Sequence, residues 1–357
     1  MVYRKALKSV KHEKRHTKLD ITNTLVLLVL LTLSCIMVYS ASMIGNKYGI
    51  FTSSVPVETT YFLKRQAIWA VLSFVTFIFI SVAIPFEVFR DKNILQYGFF
   101  AMVILLVIPF ASSSINGARS WIRLGALSFQ PSTLAQLFII IYMAFILETR
   151  KDKLRKVCTS NELINIFWIP LFLIAIIFFQ NDTGMMLITL SVVGIMTLCS
   201  NMHFKNIKRL LTLAVMAIVI VVALLFVKSA FSSGSSYRTN RIKVFLNPFS
   251  EDLSAAADQV INSYIAFGNG GLFGRGLGNS IQKLGYLPEA HTDFILAIIA
   301  EELGLVGVLF VIGLLTALIC RVIIAGTKSR NTFAAMYCIG FASLLVVQSV
   351  GLQLLYQ

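Results

Sequence analysis

Three groups of residues in this chain of 357 have the types and spacing to do chemistry. The first is Asp293, within Leu287-Pro288-Glu289-Ala290-His291-Thr292-Asp293-Phe294. Pro288 favours a turn, and the apolar run that opens at Phe294 puts Asp293 at the mouth of a helix. At about 100° per residue, Asp293, Ala297, Ala300, Gly304 and Gly307 fall near one line of that helix. Small residues on one face admit a neighbouring helix closely, which would turn the carboxylate into a bundle. The same carboxylate could instead serve as a simple N-cap. Glu301 and Glu302 follow about 12–14 Å further along, at about 1.5 Å per residue. Carboxylates at such depth either pair with other helices or act functionally. The second group is Arg119, Trp121 and Arg123. Two guanidiniums flanking an indole suit phosphate oxygens, which Arg grips in a fork, or else ordinary headgroup contact beside a belt tryptophan. Arg275 and Lys283 could add positive charge to either arrangement. The third is Gln180-Asn181-Asp182-Thr183-Gly184, a tight turn whose Asp182 can cap a helix start.

Other chemistries lack their residues. No Walker loop, zinc-protease helix or nucleophile elbow occurs, so nucleotide hydrolysis and zinc chemistry are unsupported. The four histidines are scattered and the five cysteines have no paired spacing, which implies neither a metal cluster nor a disulfide framework.

The elements that must position these residues follow from composition. The chain is 57% hydrophobic and only 13% charged, too little charge to cover a water-soluble surface. Nine stretches approach the roughly 20 apolar residues that cross a bilayer: 21–42, 64–85, 93–111, 131–148, 163–180, 184–200, 209–227, 294–320 and 332–355. Pro109 and Pro170 are expected to kink their helices. The N-terminus is basic and then apolar, but the run is too long for a signal peptide and has no clear cleavage site, so it reads as a retained first span. Net charge is +15. With the N-terminus in the cytoplasm, 20 of the 31 Lys and Arg fall on the inner side, which the positive-inside rule favours. The charge is therefore a topology signal, and no nucleic-acid-binding module is recognisable.

The expected fold class is all-α: a polytopic integral membrane protein with about nine transmembrane helices. Its parts are a basic cytoplasmic segment, 1–20; spans one to seven, 21–227; a large extracytoplasmic loop, 228–293; and the last two spans, 294–357. The large loop carries its own apolar segment (Val260, Ile261, Tyr264, Ile265, Phe267) before a glycine-rich run. This predicts a short helix lying in the interface, followed by a turn that glycine permits.

The stretch from Asn269 to Gly304, with Asn116–Gly125, Gln130-Pro131-Ser132, Gln180–Gly184 and Asn247-Pro248, closely resembles the SEDS family (shape, elongation, division and sporulation). The unbroken Gly-Leu-Gly-Asn-Ser-Ile-Gln-Lys run looks more like its cell-division member than its elongation member. The resemblance implies a peptidoglycan glycosyltransferase that polymerises lipid II at the outer face of the bacterial cytoplasmic membrane, at the division septum. It also implies as partners a class B penicillin-binding protein, the nascent glycan chain, other division proteins and membrane lipids. The family's essential aspartate maps onto Asp293. Arg119, Trp121, Arg123, Arg275, Lys283, Glu289 and His291 are then expected to contact the lipid diphosphate or sugar, and Gln180, Asp182, Glu301 and Glu302 to be structural. There are departures. Thr133 stands where the family has Glu in Gln-Pro-Ser-Glu, Gln136 replaces a common lysine, and Asn181 replaces a proline. The family usually has ten spans, the last preceded by a Leu-Pro-x-x-Ser-Tyr-Gly-Gly-Ser segment that is not found in residues 1–357.

The bond made is β from an α-linked donor, so transfer inverts the anomeric carbon in one displacement. Asp293, expected to be partly buried and so raised in pKa, would be the general base that deprotonates the acceptor hydroxyl. The departing diphosphate would be stabilised by Arg119, Arg123, Arg275 or Lys283, or by a divalent cation, magnesium or manganese, for which no ligand cluster is evident. A lipid II flippase, or a non-catalytic division scaffold, would use many of the same features.

Overall fold

The computed structural model describes residues 20–51, 55–111, 119–124, 127–213, 216 and 255–355. The basic segment before Asp20, the first part of the large loop and most of the seventh expected span lie outside them; of that span's surroundings, residues 204–213 are helical.

In chain order the helices are α1 (Ile21–Lys47), α2 (Tyr61–Ala83), α3 (Lys92–Val107), α4 (Pro131–Thr149), α5 (Ser160–Phe179), α6 (Thr183–Cys199), α7 (Ala255–Gly270), α8 (Ile295–Lys328) and α9 (Thr332–Leu355). Seven helices among the described residues are long and apolar enough to cross a membrane, and α6 is apolar but shorter. Their starts carry local signals. The Asp20 side chain accepts from Thr22 N and Asn23 N and caps α1. Pro131 occupies the first turn of α4, where its missing N–H costs nothing. Thr159 and Glu162 form a capping box on α5. Pro109 falls in the 3-10 turn Ile108–Ala111 that closes α3, and Pro170 lies inside α5.

A hairpin absent from the sequence-based expectation joins α3 to α4. Strands β1 (Ile122–Leu124) and β2 (Leu127–Phe129) pair antiparallel, with Ile122 opposite Phe129.

The interior has two centres. One is built by α3, α4, α5, α6 and α9 around Leu106, Met143, Leu173, Ile177, Met196 and Phe333. The other joins Met37 and Ala41 of α1 to Leu287, Phe294 and the buried face of α8. Helix α9 packs on both α8 and the α4–α6 group and so connects the two. Helix α2 buries no residue at all and presents Ile68, Val71, Leu72, Val75 and Phe79 outward. So large an apolar surface suits hydrocarbon, not water.

Helix α7 is amphipathic. Val260, Ser263 and Ala266 are buried while Tyr264, Ile265 and Phe267 are exposed, and the buried face packs against α8.

Candidate active site

The decisive local feature is a break in α8. Gly304 has φ 68° and ψ −169°, a backbone conformation that interrupts the helix between Glu302 and Leu305. In a membrane-embedded helix the freed polar groups must find partners inside the protein. They find them in the glycine-rich loop after α7. Arg275 N and Gly276 N donate to the carbonyls of Glu301 and Glu302, each at 2.9 Å. In return, Leu305 N and Val306 N donate to the carbonyls of Gly271 and Leu272, at 3.0 and 3.2 Å. So close a meeting of two backbones leaves no room for a side chain at Gly274, where a Cβ would collide with Glu302 O and Gly304 N.

The two carboxylates beside the break are wholly buried. Glu302 pairs with Lys283 Nζ at 2.7 Å and accepts from Ser40 Oγ of α1 at 2.8 and 2.7 Å. Lys283 Nζ also donates to Ser40 Oγ at 3.2 Å. Lys283 is itself fully buried. This corrects its expected place among the headgroup-contacting cations, because its charge is committed to Glu302. Glu301 accepts from the Ser280 hydroxyl, from Ile281 N and Gln282 N, both at 3.2 Å, and from Asn269 Nδ2 at 3.4 Å. Arg275 Nη1 stands 3.9 Å away and remains 39% exposed, so this cation still reaches the surface.

From that anchor a series of turns leads to Asp293. Leu287 N donates to Gln282 O at 3.0 Å. Glu289 takes a left-handed conformation, φ 56°, and its carbonyl accepts from Thr292 N and Phe294 N. Its carboxylate accepts from Thr292 Oγ1 at 2.9 Å. Leu287, Ala290 and Phe294 are buried while Glu289, Thr292 and Asp293 are exposed, so apolar residues pin the turn and polar ones face outward. Two expectations are corrected here. Helix α8 starts at Ile295 with Phe294 at the N-cap and no side-chain cap, so Asp293 precedes the helix and the line drawn through Ala297 does not apply to it. Asp293 is also exposed, where partial burial was expected.

His291 lies between Phe51 and Phe62, its ring 4.6 and 4.2 Å from theirs. Its Nδ1 is buried with no hydrogen-bond partner among the described residues. Burial pushes the imidazole below its ordinary 6.5, against an opposing pull from Glu289.

A second polar group gathers the Gln130 and Gln180 motifs. Arg119 N donates to Gln180 O at 2.9 Å, tying the hairpin segment to the α5–α6 turn. Asp182 caps α6 through Met185 N at 3.1 Å and accepts from Gln130 Nε2 at 2.7 Å. Gln180 Nε2 donates to Leu106 O at 2.6 Å. Gln136 bridges helices, donating to Thr189 Oγ1 at 3.0 Å and accepting from Gln348 Nε2 at 3.2 Å. Arg119 and Trp121 are exposed. Arg123 lies on β1, and its side chain is outside the described residues, as is the 112–118 loop before it.

Sequence reasoning missed Ser40, the anchoring role of Ser280, and the helix break at Gly304, which it read only as a small residue on the helix face. Only Gly304 carried a signal, as the first glycine of its apolar run with a cluster of glycines elsewhere to meet it. Among the described residues no group of three or more His, Cys, Asp or Glu could hold a metal ion. An open apolar groove of about 340 Å³ runs beside the break, lined by Phe267, Gly271, Leu272, Ala300, Leu305 and Val308.

Comparison with known proteins adds the following. Residues 21–352 match the sequence profile of a cell cycle protein family, that of FtsW, RodA and SpoVE. A probable peptidoglycan glycosyltransferase FtsW of Geobacter sp. (strain M18) is 33% identical over 335 residues, 91% of this chain and 84% of that protein. The corresponding protein of Haemophilus influenzae is 36% identical over 315 residues, covering 87% and 75%. That of Bacillus subtilis is 32% identical over 319 residues, covering 88% and 76%. The fold is similar to a chain of a peptidoglycan synthase complex whose structure concerns the coordination of polymerization and crosslinking, with TM-score 0.63 at 21% identity over 94% of this chain and 87% of that one. It is similar also to the rod shape determining protein RodA of Thermus thermophilus, with TM-score 0.60 at 21% identity over 93% and 83%.

Proposed function

The chain belongs to the cell cycle protein family of FtsW, RodA and SpoVE, and on that premise we propose that it is a peptidoglycan glycosyltransferase of the division type. Its substrate is lipid II, polymerised at the outer face of the cytoplasmic membrane, and its site of action is the septum. The observation that carries this reading is the arrangement around Asp293. An exposed carboxylate sits on a turn anchored by two fully buried carboxylates, in a loop that also presents Arg275 beside an apolar groove. A lipid-linked diphosphate has the complementary parts: an apolar chain for a groove, a diphosphate for a guanidinium and a sugar hydroxyl for a base.

Asp293 takes the proton of the acceptor 4-hydroxyl as that oxygen attacks the anomeric carbon of the donor. The bond to diphosphate breaks on the opposite side, which inverts the configuration. Arg275 stabilises charge on the departing diphosphate, joined by Arg119 from the hairpin segment. Lys283, buried against Glu302, is given no part in this step. Because glycan polymer must be crosslinked, a class B penicillin-binding protein is the expected partner.

The test is purified protein with its transpeptidase partner and labelled lipid II. Wild type is expected to form glycan polymer and Asp293→Ala to form none. Headgroup translocation across liposomes without polymer would overturn the reading in favour of a transporter.

A further inference from the structure

The reaction proposed above makes no use of Glu301, yet this carboxylate is fully buried, and three of its four donors belong to the loop that leads to Asp293 while the fourth is Asn269 of α7. An ionised carboxylate offers about four lone-pair sites. Here they meet four donors: the Ser280 hydroxyl, Ile281 N, Gln282 N and Asn269 Nδ2. Two of these are main-chain N–H groups at the entry to the 3-10 turn Gln282–Leu284, so the carboxylate holds the path of the backbone itself. Adjacent helical residues point about 100° apart, so Glu302 reaches the next residue of this segment from another side, through the Lys283 ammonium.

We propose that Glu301 is a positioning residue for glycosyl transfer, setting the place of Asp293 through the Ser280–Gln282 backbone. The inference rests on the glycosyltransferase reading. The connection runs through hydrogen bonds joined by the short covalent stretch Leu287-Pro288-Glu289. Glu301 holds Gln282 N, Gln282 O holds Leu287 N, and Glu289 O holds Thr292 N and Phe294 N on either side of Asp293. Charge matters as well as shape. A Gln at 301 would turn an NH₂ donor toward a site lined by donors, and it would lose the charge-assisted strength of the contacts. A base displaced by about 1 Å can cost about a hundredfold in rate while leaving binding by other groups intact.

The experiment compares Glu301→Gln and Ser280→Ala with wild type, as full-length protein in nanodiscs with its transpeptidase partner. Two quantities are read: amide hydrogen exchange over 280–294, and kcat and KM for labelled lipid II. In Glu301→Gln, exchange at Ile281 and Gln282 rises about tenfold or more, exchange over 287–294 rises with it, and exchange in α4–α6 is unchanged. Its kcat falls about tenfold or more while KM stays within about threefold, the split expected of a group that acts on geometry and not on affinity. Ser280→Ala removes one donor and shows a smaller change of the same kind, and it carries the test alone if Glu301→Gln does not fold. Unchanged exchange overturns the inference, and so does faster exchange with normal kcat, which makes Glu301 merely structural. A wild-type protein that forms no polymer overturns the glycosyltransferase reading instead, and the exchange data still report whether Glu301 holds the loop.

Discussion

Replacing Gly274 with alanine should unlock the loop from the break in α8, at a cost that follows from the local geometry. Gly274 has φ 77°, where a residue with a Cβ is strained by about 1–2 kcal/mol. The new Cβ would lie 2.6 Å from Gly304 N and closer still to Glu302 O. Both are backbone atoms, so no side-chain rotation relieves the clash. The loop must back away and give up the bonds from Arg275 N and Gly276 N to the carbonyls of Glu301 and Glu302. At about 1 kcal/mol net for each bond, plus the strain, the loss is about 3–4 kcal/mol. Gly278 is the control. Its φ is 88°, but nothing lies within 4 Å of a Cβ there, so Gly278→Ala should cost only the strain, about 1–2 kcal/mol. Reversible unfolding of the two variants in mixed micelles, followed by circular dichroism, should separate them by about 2 kcal/mol. Equal losses, or a larger loss at Gly278, would refute the claim that the loop and the break share their hydrogen bonds.

Two further outcomes are expected. Lys283→Met leaves Glu302 buried without its cation and should destabilise by about 3–5 kcal/mol, whereas Lys283→Met with Glu302→Leu should recover most of that loss, because removing both charges of a buried pair is often neutral; melting in detergent measures both, and a double variant no better than the single would contradict the pairing. His291 is held below its ordinary 6.5 by burial, so as pH drops from about 6.5 the unfolded chain takes up a proton that the folded chain refuses, and stability present above that pH is lost; His291→Phe should flatten the stability profile below about pH 6.5, and an unchanged slope would contradict the assignment.

Seven of the described helices were legible because each is an apolar run of bilayer length, and length and composition alone set that pattern. Caps at Asp182 and Thr159 were legible or locally encoded, since a cap involves neighbours a few residues away. What escaped the sequence was long-range. Lys283 looks like a surface cation in a loop, and only the fold brings to it Glu302 from the next helix and Ser40 from 243 positions earlier in the chain. The break at Gly304 was hidden because hydrophobicity continues across it without change, and backbone hydrogen bonds leave no trace in hydropathy. The inward direction assigned to Asp293 failed for a simpler reason: helical geometry was extended two residues beyond the true start of α8 at Ile295.

The central claim is that Asp293 accepts a proton during glycosyl transfer. Asparagine keeps the size and polarity of that side chain but cannot take up the proton, so Asp293→Asn isolates the chemistry from the packing. In single-turnover polymerisation of labelled lipid II by the full-length protein with its partner, the rate should fall about 10²–10⁴-fold, the range for losing a general base, while lipid II still binds. An Asp293→Asn protein that elongates glycan at the wild-type rate would contradict the account.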